Sequence, residues 1–212
     1  MRLFLSGRGG DMVISEVIKQ RVHSYELGKL FTNKPFLALG SRAAVDKALS
    51  RLVEKREIER VARGVFVRPK TNRFIGKVQP EVAKVLEMIT RQNGETIQIH
   101  GAEAVRLFKL STQIPATPIF YTSGSSRQLR IGNRKVKLVH TSSQRKLQYA
   151  GTKIGMAISA LWYLGKEAVT PEVVARVRSA MSEEEFSLLK NCKLPAWILL
   201  AIQYANRESA HG

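Results

Sequence analysis

The chain of 212 residues has one cysteine, Cys192. A single thiol excludes an internal disulfide framework and a cysteine-based zinc site. Long hydrophobic runs are missing too. The most apolar stretches, residues 154–164 and 196–202, fall well short of the ~20 residues that span a bilayer. The opening MRLFLSGRGG holds an apolar run of only three, Leu3 to Leu5, too short for a secretory core, so a cytoplasmic protein without a membrane role is expected. Acidic residues are scarce, 17 against 35 Lys and Arg, for a formal net charge of +18. Walker, kinase-loop and nucleophile-elbow patterns are absent. The four histidines, His23, His100, His140 and His211, lie scattered without metal-ligand spacing. No metal, no cofactor and no enzymatic activity are therefore expected.

What remains is a globular balance, 44% hydrophobic and 25% charged, under a strong positive charge. Such a charge calls for an anionic partner, nucleic acid first and an anionic membrane second. Residues 69–79 carry Pro69, Thr71, Asn72 and Gly76 with little periodicity and read as a linker. The expected domains are thus residues 1–79 and 80–212. The first holds 17 Lys and Arg against 7 Asp and Glu. In the second, no acid occurs between Glu103 and Glu167, while Arg127, Arg130, Arg134, Lys135 and Lys137 cluster there.

In the first domain, residues 11–23 read as a helix striped by Met12, Val13, Val17, Ile18 and Val22. A short apolar segment, residues 37–40, ends in Gly40. Ser41 stands where an N-cap belongs, ahead of a helix over 42–55. Val45, Ala48, Leu49, Leu52 and Val53 share one face of it. Arg42, Ala43, Asp46, Lys47, Ser50, Arg51 and Glu54 share the other. Residues 58–61 and 65–68 favour strand, with Ala62-Arg63-Gly64 as a tight turn between them. Helix, turn, basic helix and basic hairpin in that order make a winged helix-turn-helix. Its recognition helix would offer Ser41, Arg42, Ala43, Lys47 and Arg51 to a DNA groove, and its wing Arg60, Arg63 and Arg68.

These residues also carry a family resemblance. LGSRAAVDKALSRLV at 39–53 and IERVARGVFVRP at 58–69 resemble the N-terminal winged helix-turn-helix of AbiEi-type antitoxins. These belong to AbiE-like type IV toxin–antitoxin, or abortive-infection (phage-defence), systems. One departure is Lys55-Arg56-Glu57, where such antitoxins carry a glycine at the helix end. The match covers roughly the first third of the chain, and the remainder resembles the family's C-terminal domain more loosely. The resemblance implies a transcriptional autorepressor that binds inverted repeats in its own operon promoter, double-stranded DNA being the partner. It also implies that the C-terminal domain counteracts a co-encoded nucleotidyltransferase toxin without a stable complex. A dimer, or cooperative binding on DNA, would suit inverted repeats.

The second domain reads as mixed α and β, so the whole is α+β with a small antiparallel sheet and a helical end. Helices are expected over 81–92 and 102–110, and strands over 96–99, 118–122, 127–131 and 135–140. Helices follow over 152–164, after Thr170-Pro171, after a Ser182/Glu185 capping box, and after Pro195. Trp197, Ile198, Leu200, Ala201 and Tyr204 are the expected packing residues of the last.

Three features admit a chemical reading beside a structural one. His100, near Glu103, is either an acid/base group or a hydrogen-bonded structural residue. The run Thr122-Ser-Gly-Ser-Ser-Arg127 is either a phosphate cradle or a hairpin loop. Cys192, with Lys190 and Lys193 near, is either an activated thiol or structural. The alternative to promoter DNA is RNA or general nucleic-acid binding on the central basic sheet, which lacks the stacking ladder of an RNA-recognition motif.

Overall fold

The computed structural model describes residues 8–74, 76–113 and 116–208, with the side chains of 8–12 and 208 also outside the description. Leu3 to Leu5 and His211 thus lie outside the described residues, as does the Met12 side chain. The fold is α+β. It divides into two compact units, residues 1–89 with 131–133, and 90–130 with 134–212.

The first unit opens with α1 (Arg8–His23), β1 (Leu30–Thr32), a short 3-10 helix (Lys34–Phe36) and α2 (Arg42–Glu54). β2 (Glu59–Ala62) and β3 (Val65–Val67) follow. β3 pairs antiparallel with both β1 and β2 in a sheet of order β1-β3-β2. Its core gathers Ile18, Val22, Phe31, Phe36, Val45, Leu49, Leu52, Ile58 and Phe66. Phe31 stacks on Phe66 at 5.8 Å between centroids and meets Phe36 edge-on at 6.0 Å. Aromatic pairs of this geometry add about 0.5–1.5 kcal/mol beyond buried area.

Two expectations need correction here. On α1, Val13 and Val17 are exposed, and Ile14 packs on the core with Ile18 and Val22. The buried row runs Ile14, Ile18, Val22 at four-residue steps, and Val13 and Val17 lie one position around the helix. The segment read as a linker is a small antiparallel hairpin, β4 (Thr71–Asn72) and β5 (Gly76–Lys77). Asn72 Oδ1 accepts from the Phe74 N–H at 2.8 Å, and Gly76 takes φ +69. Those two turn residues make the bend.

The end of α2 is closed by a double wrap. Glu57 N–H donates to Leu52 O at 3.0 Å and Arg56 N–H to Val53 O at 2.9 Å. That pattern needs a left-handed residue, and Arg56 supplies it at φ 59. Arg56 thus takes the left-handed turn within Lys55-Arg56-Glu57, the stretch where the resemblance departs for want of a glycine.

After α3 (Val82–Gln92), the second unit holds β6 (Ile97–Ile99), α4 (Gly101–Leu107), β7 (Ile119–Thr122), β8 (Arg127–Ile131) and β9 (Arg134–His140). The helical end is α5 (Lys153–Leu164), α6 (Pro171–Ser179), α7 (Glu183–Lys190) and α8 (Ala196–Glu208). The sheet order is β6-β7-β9-β8, and β7 pairs with β9 in parallel. The sheet is therefore mixed, where an antiparallel one was expected. β9 carries the fully buried Val136 and Leu138 and takes the inner position, leaving the more polar β8 at the edge.

Thr152, Thr170 and Ser182 cap α5, α6 and α7, the last through the expected capping box with Glu185. The helices bury Ile158, Leu161, Val177, Phe186, Leu189, Ile198 and Ile202 together. On α8 the packing row is Ile198, Ala201, Ile202 and Ala205, with Trp197 partly buried. Leu200 and Tyr204 point away, 52% and 57% exposed, against expectation. Among the described residues no helix is long and apolar enough to cross a membrane.

Candidate nucleic-acid interface

In the first unit the basic residues are presented by α2 and the β2–β3 hairpin. Burying Val45, Ala48, Leu49 and Leu52 turns the opposite side of α2 outward. Arg42, Ala43, Lys47 and Arg51 are all exposed or half-exposed there. Ala43, Lys47 and Arg51 fall at four-residue steps and form one ridge. Lys47 and Arg51 make no side-chain ion pair or hydrogen bond among the described residues, so both charges are free for a partner.

At the start of the helix, Ser41 Oγ accepts from the Ala44 N–H at 3.2 Å. The first-turn N–H groups of Arg42 and Ala43 have no intrahelical acceptor, which favours an anion at that end. Arg42 Nε sits 3.7 Å from Asp46 Oδ2 in an exposed pair. The other oxygen of Asp46 accepts from Asn33 Nδ2 at 2.9 Å, tying the segment before the 3-10 helix to α2.

On the hairpin, Gly64 takes φ +75 at the turn, and Arg63 stands beside it. Arg60 is exposed, its guanidinium 5.4 Å from the Phe66 ring centroid. Arg68 is different. It is half-buried and Nη1 donates to the Tyr25 carbonyl. That contact ties the residue after β3 to the segment after α1, so Arg68 helps hold the fold.

Basic residues around β4–β5 join this surface without having been expected there. Lys70, Arg73 and Lys77 border this hairpin, with Phe74 78% exposed and the Arg73 guanidinium 4.5 Å from its ring centroid. Lys77 pairs with Glu59 of β2 at 2.6 Å. Asn72 and Gly76 were the legible signal.

In the second unit, β8 and β9 alternate as expected. Val136 and Leu138 point inward, while Arg130, Lys135 and Lys137 are exposed. Arg134 is exposed at the start of β9. These four make no ion pair among the described residues. Arg127 does: its Nη2 donates to Glu95 Oε2 at 2.7 Å. It belongs to a latch rather than to the open basic face.

That latch settles the serine-rich run. Thr122 Oγ1 also donates to Glu95 Oε2, at 3.1 Å, and accepts from the Gly124 N–H at 3.0 Å. A Cβ on Gly124 would fall 2.4 Å from the Glu95 carboxyl carbon. The place a phosphate would take is filled by the protein's own carboxylate. Burial alone pushes that carboxyl up, but hydrogen bonds from Arg127 and Thr122 and the Arg127 charge outweigh it, leaving the group below its ordinary value. The run is a crossover from β7 to β8 past β9, not a hairpin loop.

His100 takes the structural role. Its Nδ1 accepts from the Ala102 N–H at 3.3 Å and caps α4. Glu103 is engaged with Arg106 instead. Cys192 is buried, and its Sγ donates to the Leu188 carbonyl at 3.3 Å. Burial pushes the thiol up, opposite to the effect of a lysine neighbour. Among the described residues no group of three or more His, Cys, Asp or Glu could hold a metal ion.

One family model matches the chain over residues 17–189, and its description is a family of unknown function, DUF6088. No curated protein matches the chain.

Proposed function

The chain belongs to the family of unknown function DUF6088, and from that premise we propose that it is a DNA-binding autorepressor and antitoxin of the AbiEi kind. In this reading the 3-10 helix, α2 and the β2–β3 hairpin act as a winged helix-turn-helix. α2 enters the major groove with Arg42, Ala43, Lys47 and Arg51, while Ser41 caps its leading end. Arg60 and Arg63 of the wing follow the phosphate backbone. Arg68 is dropped from the interface, because its guanidinium is engaged with Tyr25.

The observation that carries the reading is the outward ridge of α2. It joins an apolar inner face to unpaired Lys47 and Arg51, and at its N-terminus the Arg42 and Ala43 N–H groups have no intrahelical acceptor. The charge asymmetry, +18 over the chain, supports it through counterion release. The resemblance of residues 39–69 to AbiEi antitoxins supports the regulatory half: repression from inverted repeats and counteraction of a co-encoded nucleotidyltransferase toxin in the cytoplasm, with no catalysis by this chain.

The test is binding of the full chain to the DNA upstream of its own gene, to unrelated duplex DNA and to structured RNA across a salt series. The reading expects preference for its own upstream DNA, with the log of affinity falling by about 0.9 per neutralised phosphate per log unit of salt. Equal binding to unrelated DNA would remove the repressor role. Preference for RNA would favour the second reading, for which the exposed Arg130, Lys135 and Lys137 of β8–β9 speak. The antitoxin half is tested by co-expressing the adjacent reading frame with and without this chain. Growth arrest relieved by the chain is the expected result.

A further inference from the structure

α5 carries Gly155, Ser159 and Tyr163 at four-residue steps, so the three share one face. That face meets β6 and the start of α4 at very short range. A Cβ on Gly155 would fall 2.1 Å from Gln98 Nε2. A Cβ on Gly101 would fall 2.1 Å from Tyr163 Cβ and 2.6 Å from the Ser159 carbonyl oxygen. Two glycines therefore let α5 close onto a strand end, and a group of polar and aromatic side chains collects along the seam.

The His100 ring lies 4.8 Å from Tyr121 and 5.5 Å from Tyr163, between centroids. Lys146 Nζ is 5.4 Å from the ring centroids of both Tyr121 and Trp162. Gln98 pairs in register with Tyr121, so the two are neighbours on one sheet face, and His100 follows two residues on. Tyr163 is half exposed, which opens the cluster to solvent.

Part of the hydrogen-bonding capacity of this cluster is unmatched. Gln98 Nε2 and Ser159 Oγ are buried without a hydrogen-bond partner. Gln98 Oε1 accepts from the Ile99 N–H at 2.9 Å, which fixes the amide's other end as the idle donor. His100 Nδ1 is used as an acceptor, so the neutral ring carries its proton on Nε2, a donor with no partner among the described residues. Burial, with the Lys146 ammonium adding to it, pushes this imidazole below its ordinary value and so favours its neutral form. Lys146 has no carboxylate partner among the described residues. Buried donors are normally satisfied, and each such exception calls for a cause.

We propose that this seam binds a nucleotide unit, its phosphate received by Lys146 and the His100 Nε2–H and its base stacked on the open face of Tyr163. The chemistry selects this class. An uncharged aromatic ligand would leave Lys146 unpaired, and an inorganic anion would leave the rings unused. A base on an aromatic platform beside a cation uses both. The site lies within the second unit and stands independently of the DNA-binding reading. A free mononucleotide and the end of a nucleic-acid strand share this chemistry.

The experiment titrates the full chain with adenosine monophosphate, with adenosine, and with a 5′-phosphorylated single-stranded DNA oligonucleotide. Binding is read by tryptophan fluorescence and by the His100 imidazole signals in NMR. Saturable binding of the monophosphate or the oligonucleotide is expected, with adenosine weaker by about tenfold. The tighter of the two phosphorylated probes identifies the source. Lys146→Met and Tyr163→Ala, each checked for an unchanged melting transition, should each weaken binding by about tenfold. Tyr163 is exposed enough for its removal to leave a folded protein should Lys146→Met fail to give one. No saturable binding of either phosphorylated probe at millimolar concentration overturns the proposal. So does binding that survives in the folded variants, or His100 signals that do not move.

Discussion

Arg127 and Glu95, 32 residues apart in sequence, form a partly buried ion pair that closes the β7–β8 crossover. Glu95→Gln should destabilise the protein by about 1–3 kcal/mol, because Arg127 keeps its charge and loses its counterion. Urea denaturation of both proteins measures it. The pH dependence has a definite sign. The folded-state carboxyl lies below its ordinary value, so its stabilisation is complete above the unfolded-state value and disappears as pH falls through the lowered folded one. Wild type and Glu95→Gln should therefore converge in acid. A gap as wide in acid as at neutral pH would refute the latch.

On α2, Arg42→Ala should weaken binding to the chain's own upstream DNA by about 1–3 kcal/mol if the guanidinium reads a base. Lys47→Ala and Arg51→Ala should weaken all duplex DNA alike, and each should lower the salt slope by about one if its cation neutralises a phosphate. Asp46→Asn keeps an acceptor for Asn33 and removes the acid beside Arg42. Tighter binding to unrelated DNA is the expected result, read by fluorescence anisotropy.

Arg56 holds a left-handed backbone at the end of α2. A side chain there costs about 1 kcal/mol relative to glycine. Arg56→Gly should therefore raise the melting temperature while both wrapping hydrogen bonds stay in place. A lowered melting temperature would mean that the Arg56 side chain does more than occupy the turn.

Cys192 should resist a thiol reagent in the native protein and react at the rate of global unfolding. Its burial and its bond to Leu188 keep it in the thiol form. Rapid labelling of folded protein would contradict this.

Much of this architecture was legible because it rests on local rules. The Ser41 cap, the inner face of α2, the Gly64 turn, the Ser182/Glu185 capping box and the β8–β9 alternation each follow from spacing or from one side chain's hydrogen bond. What was not legible depends on distant residues. β1 is three residues long and shows no alternation by itself. The parallel β7–β9 pairing is a choice between two neighbours that no local pattern encodes. Arg68 and Arg127 look like free cations in sequence, yet Tyr25 and Glu95 engage them from far along the chain. Leu200 and Tyr204 fit an apolar helix but fall on its outer side.

The edge position of β8 has a consequence for how this chain behaves in company. An outermost strand offers unpaired N–H and C=O groups to any other strand that drifts by, the usual seed of aggregation. Here an incoming copy would bring its own Arg130 toward the Arg130 of β8, with Lys135 and Lys137 on the adjoining β9. That approach carries an electrostatic cost between like molecules and none toward something negative. Charge on β8 and its neighbour β9 thus works against one particular contact, strand-to-strand pairing of two copies along this edge.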